Sequence, residues 1–348
     1  MDDRPRWRRL CSRCRLAYNH MPWAFGARAE AMLTYRAFHN TDPPAIAGIW
    51  GSRAGQARLF QHISTDLLEE HVFAKLYFDY PGLILAWEGP RAVGFAHAGF
   101  GASDSSDGVS TELGTTHLVL VRPDCDEAGI SRALLEHCED YLRSRGAKVL
   151  YGGGIQPLNS FYLGLYGGSE LPGVLESDVV ARQTFAAAGY REIDRTILLE
   201  RDLATFEALI DRRQMQIRRQ MLVEIVVDPP SRNWWEACTL GPFELTRLEA
   251  VPRSGGPAVA AATFRNMDLL PNAPRPRVLG LIDVWVEESF RRRGLAIFLL
   301  GEAFRHFHRE GITTVEVQAM QHSVAALGLY QKLGFQQVAH GSVLRKET

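Results

Sequence analysis

A short cationic turn carries the side chains with the clearest chemical meaning: Arg291, Arg292, Arg293, Gly294, Leu295 and Ala296. An apolar run from Leu279 to Val286 precedes this turn and predicts a buried strand, and an amphipathic helix pattern begins at Gly294. The first N–H groups of a helix have no partner within the helix, and the helix dipole adds partial positive charge there. The turn therefore predicts an anion-binding site. The alternative interpretation is a solvated basic helix cap.

Length and composition indicate a soluble protein of about two domains. The chain has 348 residues, of which 46% are hydrophobic and 23% charged, so it can bury cores without a disulfide or metal staple. The formal net charge of −1 argues against nucleic acid or an anionic membrane as an electrostatic partner. Five scattered cysteines argue against a secreted disulfide framework, and no apolar run reaches the ~20 residues of a membrane span. A cytoplasmic location is the simplest expectation.

A basic leader, residues 1–27, precedes the first pattern typical of folded structure. It is rich in arginine and tryptophan and lacks the apolar segment of a secretory signal, so we expect a disordered arm or an extension upstream of a later start such as Met32. Cys11 and Cys14 form a lone CxxC without a second ligand pair nearby, which favours an incidental pair over a metal site. The sequence therefore predicts no metal.

An internal repeat organises the rest of the chain. Three landmarks recur 165 residues later, namely Val121, Gly129 and Gly146 as Val286, Gly294 and Gly311. Three more recur 164 residues later, namely Asn159, Leu165 and Tyr166 as Ser323, Leu329 and Tyr330. Both copies follow the order strand, turn, helix, glycine, strand. The sequence therefore predicts two diverged copies of one α/β unit.

The predicted domains cover residues 28–202 and 221–348, joined by a charged helical linker at 203–220. Between Tyr166 and Gly189 the first copy is 19 residues longer than the second, and the extra segment includes the loop GGSELPGVLESD. Conversely, the second copy has one short predicted helix, Asn233 to Thr239, where the first has two. The two copies are therefore expected to differ in what they can bind.

Two motifs of the second copy occur together, at a similar separation, in a known protein family. The first is a strand ending in Val286, followed by a Gln/Arg-x-x-Gly-x-Gly/Ala turn, here Arg291 to Ala296. The second is a helix pattern matched by Ser323, which replaces the usual Asn, and by Ala326, Leu329, Tyr330, Gly334 and Phe335. In both motifs the chain resembles the GNAT (Gcn5-related N-acetyltransferase) superfamily. The resemblance covers roughly the last 130 residues and, through the repeat, roughly the preceding 170. The tandem arrangement is similar to that of mycothiol synthase.

The resemblance implies an α/β (α+β) fold of two tandem domains, each with a mixed, largely antiparallel central sheet flanked by helices. It also implies transfer of an acetyl group from acetyl-CoA to an amine on a small molecule or peptide, by direct attack through a tetrahedral intermediate. Arg291 to Ala296 would wrap the pyrophosphate of CoA, and the backbone of Val284, Trp285 and Val286 would pair with the pantetheine arm. Ser323 would make a shorter polar contact to that arm.

Tyr330 and Asp283 are the candidate catalytic residues. By resemblance, Tyr330 is the general acid that protonates the departing CoA thiolate, and a buried core tyrosine is the alternative. Asp283 interrupts an apolar strand, where an unpaired carboxylate is costly, so we interpret it as a base or a water-positioning group. A carboxylate satisfied by a neighbouring arginine is the alternative, and Glu316 is a weaker candidate base. An amide N–H near Val286 could stabilise the oxyanion.

The first copy carries acids where the second carries arginines. Asp126 and Glu127 occupy its helix-start turn, where like charge would repel a pyrophosphate, so we expect the second half to bind acetyl-CoA. We also expect either the first half or the partner subunit of a homodimer to complete the acceptor site. Two other hypotheses remain: catalysis in the first half with Tyr166 and Asn159, and a non-catalytic protein that binds or senses acyl-CoA.

Overall fold

Alternating apolar residues form long antiparallel strands in both halves of the chain, and these strands build one sheet. The structure is a computed structural model that describes residues 32–208, 211–269 and 277–347. The predicted leader and the pair Cys11 and Cys14 lie outside the described residues. Leu33–Thr348 forms one compact unit.

The first half contributes seven of the described strands and four of the described helices. Its strands are β1 (Leu33–Ala37), β2 (Leu83–Glu88), β3 (Arg91–Ala102), β4 (Val109–Val121), β5 (Val149–Gly152), β6 (Val174–Leu175) and β7 (Arg191–Asp202). Its helices are α1 (Pro43–Gly51), α2 (Thr65–Leu68, continued by a π turn at Glu69–Phe73), α3 (Glu127–Ser144) and α4 (Val179–Ala187).

The second half begins with a helix that follows the gap at residues 209 and 210. Its helices are α5 (Arg212–Gln220), α6 (Trp234–Leu240), α7 (Leu295–Arg309) and α8 (Val324–Lys332). Its strands are β8 (Met221–Val227), β9 (Leu245–Pro252), β10 (Ala260–Asn266), β11 (Val278–Val286), β12 (Thr314–Met320) and β13 (Gln336–Glu347). Short 3₁₀ turns occur at Tyr80–Gly82, Leu203–Thr205 and Glu288–Phe290.

The two halves exchange their last strands. The sheet order is β1-β2-β3-β4-β5-β13-β7-β12-β11-β10-β9-β8, with β6 paired to β13. The last strand of the second half, β13, pairs antiparallel with β5 of the first half, and β7 of the first half pairs antiparallel with β12 of the second. Among the described strands, only β4 with β5 and β11 with β12 run parallel. The predicted fold of two units with a mixed, largely antiparallel sheet is confirmed.

Buried side chains continue across the junction of the halves. One core cluster holds the first-half residues Trp50, Phe161 and Tyr162 together with Phe243 and Leu245 of the second half. Burying apolar area of this kind is the main favourable contribution to holding two units together. The two halves therefore meet through a core rather than through a polar surface. Within the described ranges, no helix combines the length and apolar character needed to cross a membrane.

Candidate functional site

Each half contains a fork, where two parallel strands separate. In the second half β11 and β12 pair up to Leu281 and Val317 and then diverge. The pairing of β11 with β10 skips Ile282 at the same point, and such a bulge bends the strand. In the first half β4 and β5 part after Thr116, and the skipped residue is His117. The two bulged residues lie 165 positions apart, so the repeat seen in the sequence extends to a fine detail of the backbone.

The two forks differ in whether their strand edge is accessible. In the second half, residues 282–286 are all partly or well exposed, and Trp285 is 44% exposed. The matching residues 117–121 of the first half are at most 6% exposed, and the ring of Phe161 lies 5.2 Å from that of His117, measured between centroids. Only the second of these forks therefore offers an open backbone edge to an extended ligand.

The helix that follows each fork also differs between the halves. Asp126 caps α3, because its Oδ1 accepts a hydrogen bond of 3.0 Å from the N–H of Gly129. Gly294 precedes α7 with φ +84° and no side-chain cap, so the N–H groups of Leu295 and Ala296 have no acceptor among the described residues. A left-handed φ is accessible to glycine at little cost. The start of α7 is thus free to bind an anion, whereas the start of α3 is occupied by its own carboxylate.

The three arginines of the second turn have different surroundings. Arg291 donates from Nε to the carbonyl oxygen of Val286 at 3.0 Å, which ties the turn to the end of β11. Arg292 and Arg293 are exposed and make no hydrogen bond or ion pair within the described ranges. Their guanidinium groups are therefore available to a phosphate.

Tyr330 and Tyr166 occupy matching positions but differ in how their hydroxyl groups are used. Tyr330 packs in the second-half core, 6% exposed, and its hydroxyl has no hydrogen-bond partner in the described part of the chain. Burial raises the pKa of Tyr330, and the charges of Glu170 and Asp283 add to this shift. The hydroxyl of Tyr166 instead accepts a hydrogen bond of 3.0 Å from the N–H of Leu175. Tyr330 thus keeps its proton and has it free to donate, whereas Tyr166 serves the first-half structure.

Ser323 lies at the start of α8, and Asp283 lies beside the second fork. Ser323 is the N-cap residue of α8, and its half-buried side chain makes no capping hydrogen bond. Asp283 lies just beyond the fork and accepts a hydrogen bond of 3.1 Å from Arg232. Arg232 also pairs with Glu236 at 2.8 Å. The alternative interpretation of Asp283, a carboxylate paired with an arginine, describes its geometry in this structure.

Glu316 has a structural role. It is 3% exposed, and its Oε2 accepts a hydrogen bond of 2.7 Å from Arg58 of the first half. Its other oxygen accepts from the backbone N–H of Ser169. Because both oxygens are already engaged, this carboxylate is poorly suited to act as a base.

A pocket of about 170 Å³ lies between the halves, next to the second fork. Its walls include Gln156, Asn159 and Glu170 from the first half, and Arg232, Glu236 and Asp283 from the second. Sequence reasoning identified Asp283 and Asn159 but missed Glu170. The one available signal for Glu170 was its position in the segment that only the first copy contains, after small residues and shortly before Pro172.

The loop that carries Glu170 is held by buried groups of the second half. The fully buried Arg265 of β10 donates to the carbonyl oxygens of Gly168 at 2.6 Å and of Ser169 at 2.8 Å. Gln318 of β12 donates to the carbonyl oxygen of Leu171 at 2.9 Å. Burial raises the pKa of Glu170 to about 7, with the positive charge of Arg265 opposing the shift. The site therefore contains a fixed carboxyl group that titrates near neutral pH.

Arg265→Met should lower the free energy of unfolding by about 3 kcal/mol, since two hydrogen bonds from a charged donor are lost and the buried carbonyl of Ser169 and the partly buried carbonyl of Gly168 are left unpaired. Urea denaturation measures this change. Arg345→Met is the matched control: Arg345 is a partly exposed strand residue paired with Glu347, and its loss should cost less than about 1 kcal/mol. Equal losses in the two variants would contradict an anchoring role for Arg265.

The profile described as "Acetyltransferase (GNAT) family" matches residues 55–166 and again residues 221–335, which together exceed half of the chain. The chain belongs to the GNAT family. The two matches also confirm the tandem arrangement of two GNAT units. This family and fold support N-acetyltransferase activity in general, and the GNAT family generally uses acetyl-CoA.

Solved structures show the same tandem fold at low sequence identity. A glucosamine N-acetyltransferase region of a fungal multi-domain β-N-acetylglucosaminidase gives a TM-score of 0.66 at 16% identity, covering 94% of this chain and 40% of that one. A tandem GNAT protein from the clavulanic acid biosynthesis pathway gives 0.62 at 14% identity, covering 91% and 98%. A GNAT protein from Sphaerobacter thermophilus gives 0.59 at 16% identity, covering 90% and 95%. No curated protein sequence matches this chain.

Proposed function

We propose that this GNAT protein transfers an acetyl group from acetyl-CoA to an amine, and that acetyl-CoA binds in the second half. The contrast between the two forks carries the proposal. The second fork has an exposed strand edge and an uncapped helix start, whereas the first has a buried edge and a helix start capped by Asp126. An extended, pyrophosphate-bearing ligand needs both an open edge and a free helix start.

The residues around the second fork would each bind a different part of acetyl-CoA. The N–H groups of Leu295 and Ala296 would bind the pyrophosphate, with Arg292 and Arg293 adding charge-assisted hydrogen bonds. The backbone of Val284–Val286 would pair with the pantetheine amides as an added strand does. The unpaired hydroxyl of Ser323 would contribute one further polar contact.

The transfer itself needs one nucleophile, one oxyanion donor and one acid. The amine nitrogen of the acceptor attacks the thioester carbonyl, which forms the N–C bond of a tetrahedral intermediate. A backbone N–H near Val286 stabilises its oxyanion, and Tyr330 protonates the sulfur as the C–S bond breaks. Asp283, paired with Arg232, orients the acceptor or a water at the mouth of the pocket.

The acceptor binds, in this proposal, in the pocket between the halves. Gln156 and Asn159 supply amide groups from the first half, so the first half completes a site whose second-half wall comes from α6 and β11. A partner subunit is then not needed. The acceptor is an amine small enough to enter this pocket, either a small molecule or the end of a peptide.

A screen of amines with detection of free thiol tests the proposal directly. Wild-type protein with acetyl-CoA should release CoA in the presence of at least one class of primary amine and not in its absence. Mass spectrometry should then show that the amine has gained one acetyl group. Failure to bind acetyl-CoA in calorimetry, together with no thiol release from any amine, would refute the proposal.

A non-catalytic acyl-CoA-binding protein is the second candidate, and the ion pair of Asp283 with Arg232 favours it. In that case the most obvious carboxylate of the site would be a structural partner rather than a base. Tight binding of acetyl-CoA without thiol release from a broad set of amines would select this candidate.

A further inference from the structure

The carboxylates around the pocket differ in whether they have partners. Asp283 and Glu236 both pair with Arg232. Glu170 makes no hydrogen bond or ion pair with any described residue, although it lines the same pocket. An unpaired carboxylate inside a protein is costly, and such groups concentrate at functional sites. Among these three acids, Glu170 is therefore the one with oxygens free to take a proton.

The charged and titratable groups around Glu170 come from several elements. They are Arg265 on β10, Asp283 on β11 and Tyr330 on α8, with Arg232 and Glu236 also lining the pocket. Burial and the charge of Asp283 disfavour ionisation of Glu170, and Arg265 favours it. The balance leaves a carboxyl group that is about half ionised near pH 7, which suits a general base at that pH.

The loop holds this carboxyl group in a fixed position. Residues on both sides of Glu170 are bound through their backbone: Ser169 by Arg265 and Glu316, and Leu171 by Gln318. A base must stay within hydrogen-bond reach of the proton that it removes, so such anchoring favours catalysis. The anchoring groups belong to the half that carries Tyr330.

We propose that Glu170, from the first half, is the general base for acyl transfer in the second half and that the acceptor is a small amine that arrives protonated. This inference rests on the function proposed above. Three carboxylates and one arginine line the pocket, and with the buried Arg265 counted the acids still outnumber the arginines by three to two, which favours an ammonium group over an acidic acceptor.

In the proton balance of the reaction, Glu170 removes the first of the two protons that the ammonium nitrogen loses. One of its oxygens takes a proton from the ammonium nitrogen, directly or through one water, and frees the lone pair that forms the N–C bond. The C–S bond then breaks with its electron pair on sulfur, and Tyr330 protonates that sulfur. The second proton lost from nitrogen returns through water to the oxygen of Tyr330. Glu170 releases its proton to solvent, so one proton is produced in each turnover.

Reaction rates with two amines of similar size distinguish a catalytic base from a residue with only a structural role. Ethylamine is protonated at neutral pH, whereas 2,2,2-trifluoroethylamine is largely neutral and needs no base. Glu170→Gln should lower kcat/KM at pH 7 by about 100-fold for ethylamine, or for the best protonated amine of the screen, and by less than about tenfold for the fluorinated amine. The rise of kcat/KM near pH 7 should also disappear from the profile of the variant.

Glu176→Gln is the matched control, because Glu176 follows β6 in the same extra segment of the first half but pairs with His340 outside the pocket. It should keep the wild-type rates and pH profile. Calorimetry should show that Glu170→Gln still binds acetyl-CoA. A Glu170→Gln variant with wild-type rates for the protonated amine, or with equal losses for both amines, would overturn the role of Glu170 and leave the proposed function intact. A wild type that releases no thiol would overturn both.

Thermal stability gives a readout that needs no substrate. Because the pKa of Glu170 is raised on folding, its ionisation destabilises the protein as pH rises through about 7, and this penalty is absent below the pKa of the unfolded chain. Glu170→Gln should therefore melt at a higher temperature than the wild type at pH 8, and the difference should close towards pH 4. A variant less stable than the wild type at pH 8 would indicate a structural carboxylate instead.

Discussion

Gly294→Glu should abolish the binding of acetyl-CoA measured by calorimetry. The substitution acts in three ways at the start of α7. It puts a side chain on a backbone with φ +84°, where a Cβ would come within 3.1 Å of side-chain atoms of Arg213 and Gln214. It adds a negative charge where a pyrophosphate would bind, and it supplies a carboxylate that can cap the helix as Asp126 caps α3. We expect a loss of at least about 100-fold in affinity, since bound phosphate relies on this helix start.

Gly311→Glu is the control for this experiment. Gly311 follows the other end of α7, has φ +81° and is exposed, so the same substitution brings the same charge and a similar backbone strain. Affinity for acetyl-CoA should stay within about twofold of the wild type, because the fork lies at the opposite end of the helix. Binding that survives in Gly294→Glu would refute the cofactor site.

Tyr330→Phe should lower kcat by about 100-fold or more while leaving acetyl-CoA binding unchanged, because the variant lacks the proton that the departing thiolate needs. The hydroxyl of Tyr330 has no partner among the described residues, so its removal should change the melting temperature little. Steady-state rates of thiol release measure the first effect, and thermal unfolding measures the second.

Tyr166→Phe should show the opposite pattern. Its hydroxyl accepts the N–H of Leu175, and loss of that acceptor leaves a buried donor unpaired, at a cost of about 1–3 kcal/mol of stability. The rate of thiol release from correctly folded protein should remain near that of the wild type. A loss of activity confined to Tyr166→Phe would move catalysis to the first half.

Local sequence patterns predicted the parts of the site that depend on local structure. The turn at Gly294 and the helix ending in Tyr330 are each short segments whose spacing determines their geometry, and the structure has a free helix start and a buried tyrosine there. The sequence also predicted that the helix start at Asp126 differs from the one at Gly294, but the reason it gave was repulsion of a pyrophosphate by like charge. The structure adds that this carboxylate occupies the helix start itself.

Contacts between residues distant in sequence could not be predicted from these local patterns. Glu170 lies in a segment without a counterpart in the second copy, so the repeat offered no position to compare. Its place in the pocket depends on Arg265, about 95 residues later, and on Glu316, about 146 residues later. Likewise, nothing near Asp283 in sequence indicates Arg232 as its partner. Such pairings follow from the packing of the two halves, which a single-strand pattern does not encode.

Because the halves exchange their last strands, β5 receives its second pairing partner late in synthesis. Strand β5 of the first half is synthesised long before β13, which follows every other described strand of the sheet. At 5–20 residues per second, the roughly 180 residues between them take about 10–40 s to make. During that time the edge of β5 exposes backbone groups that can pair with another chain. A nascent first half is therefore open to misassociation until the second half is almost finished, and stalled or shortened chains should aggregate rather than accumulate as folded halves.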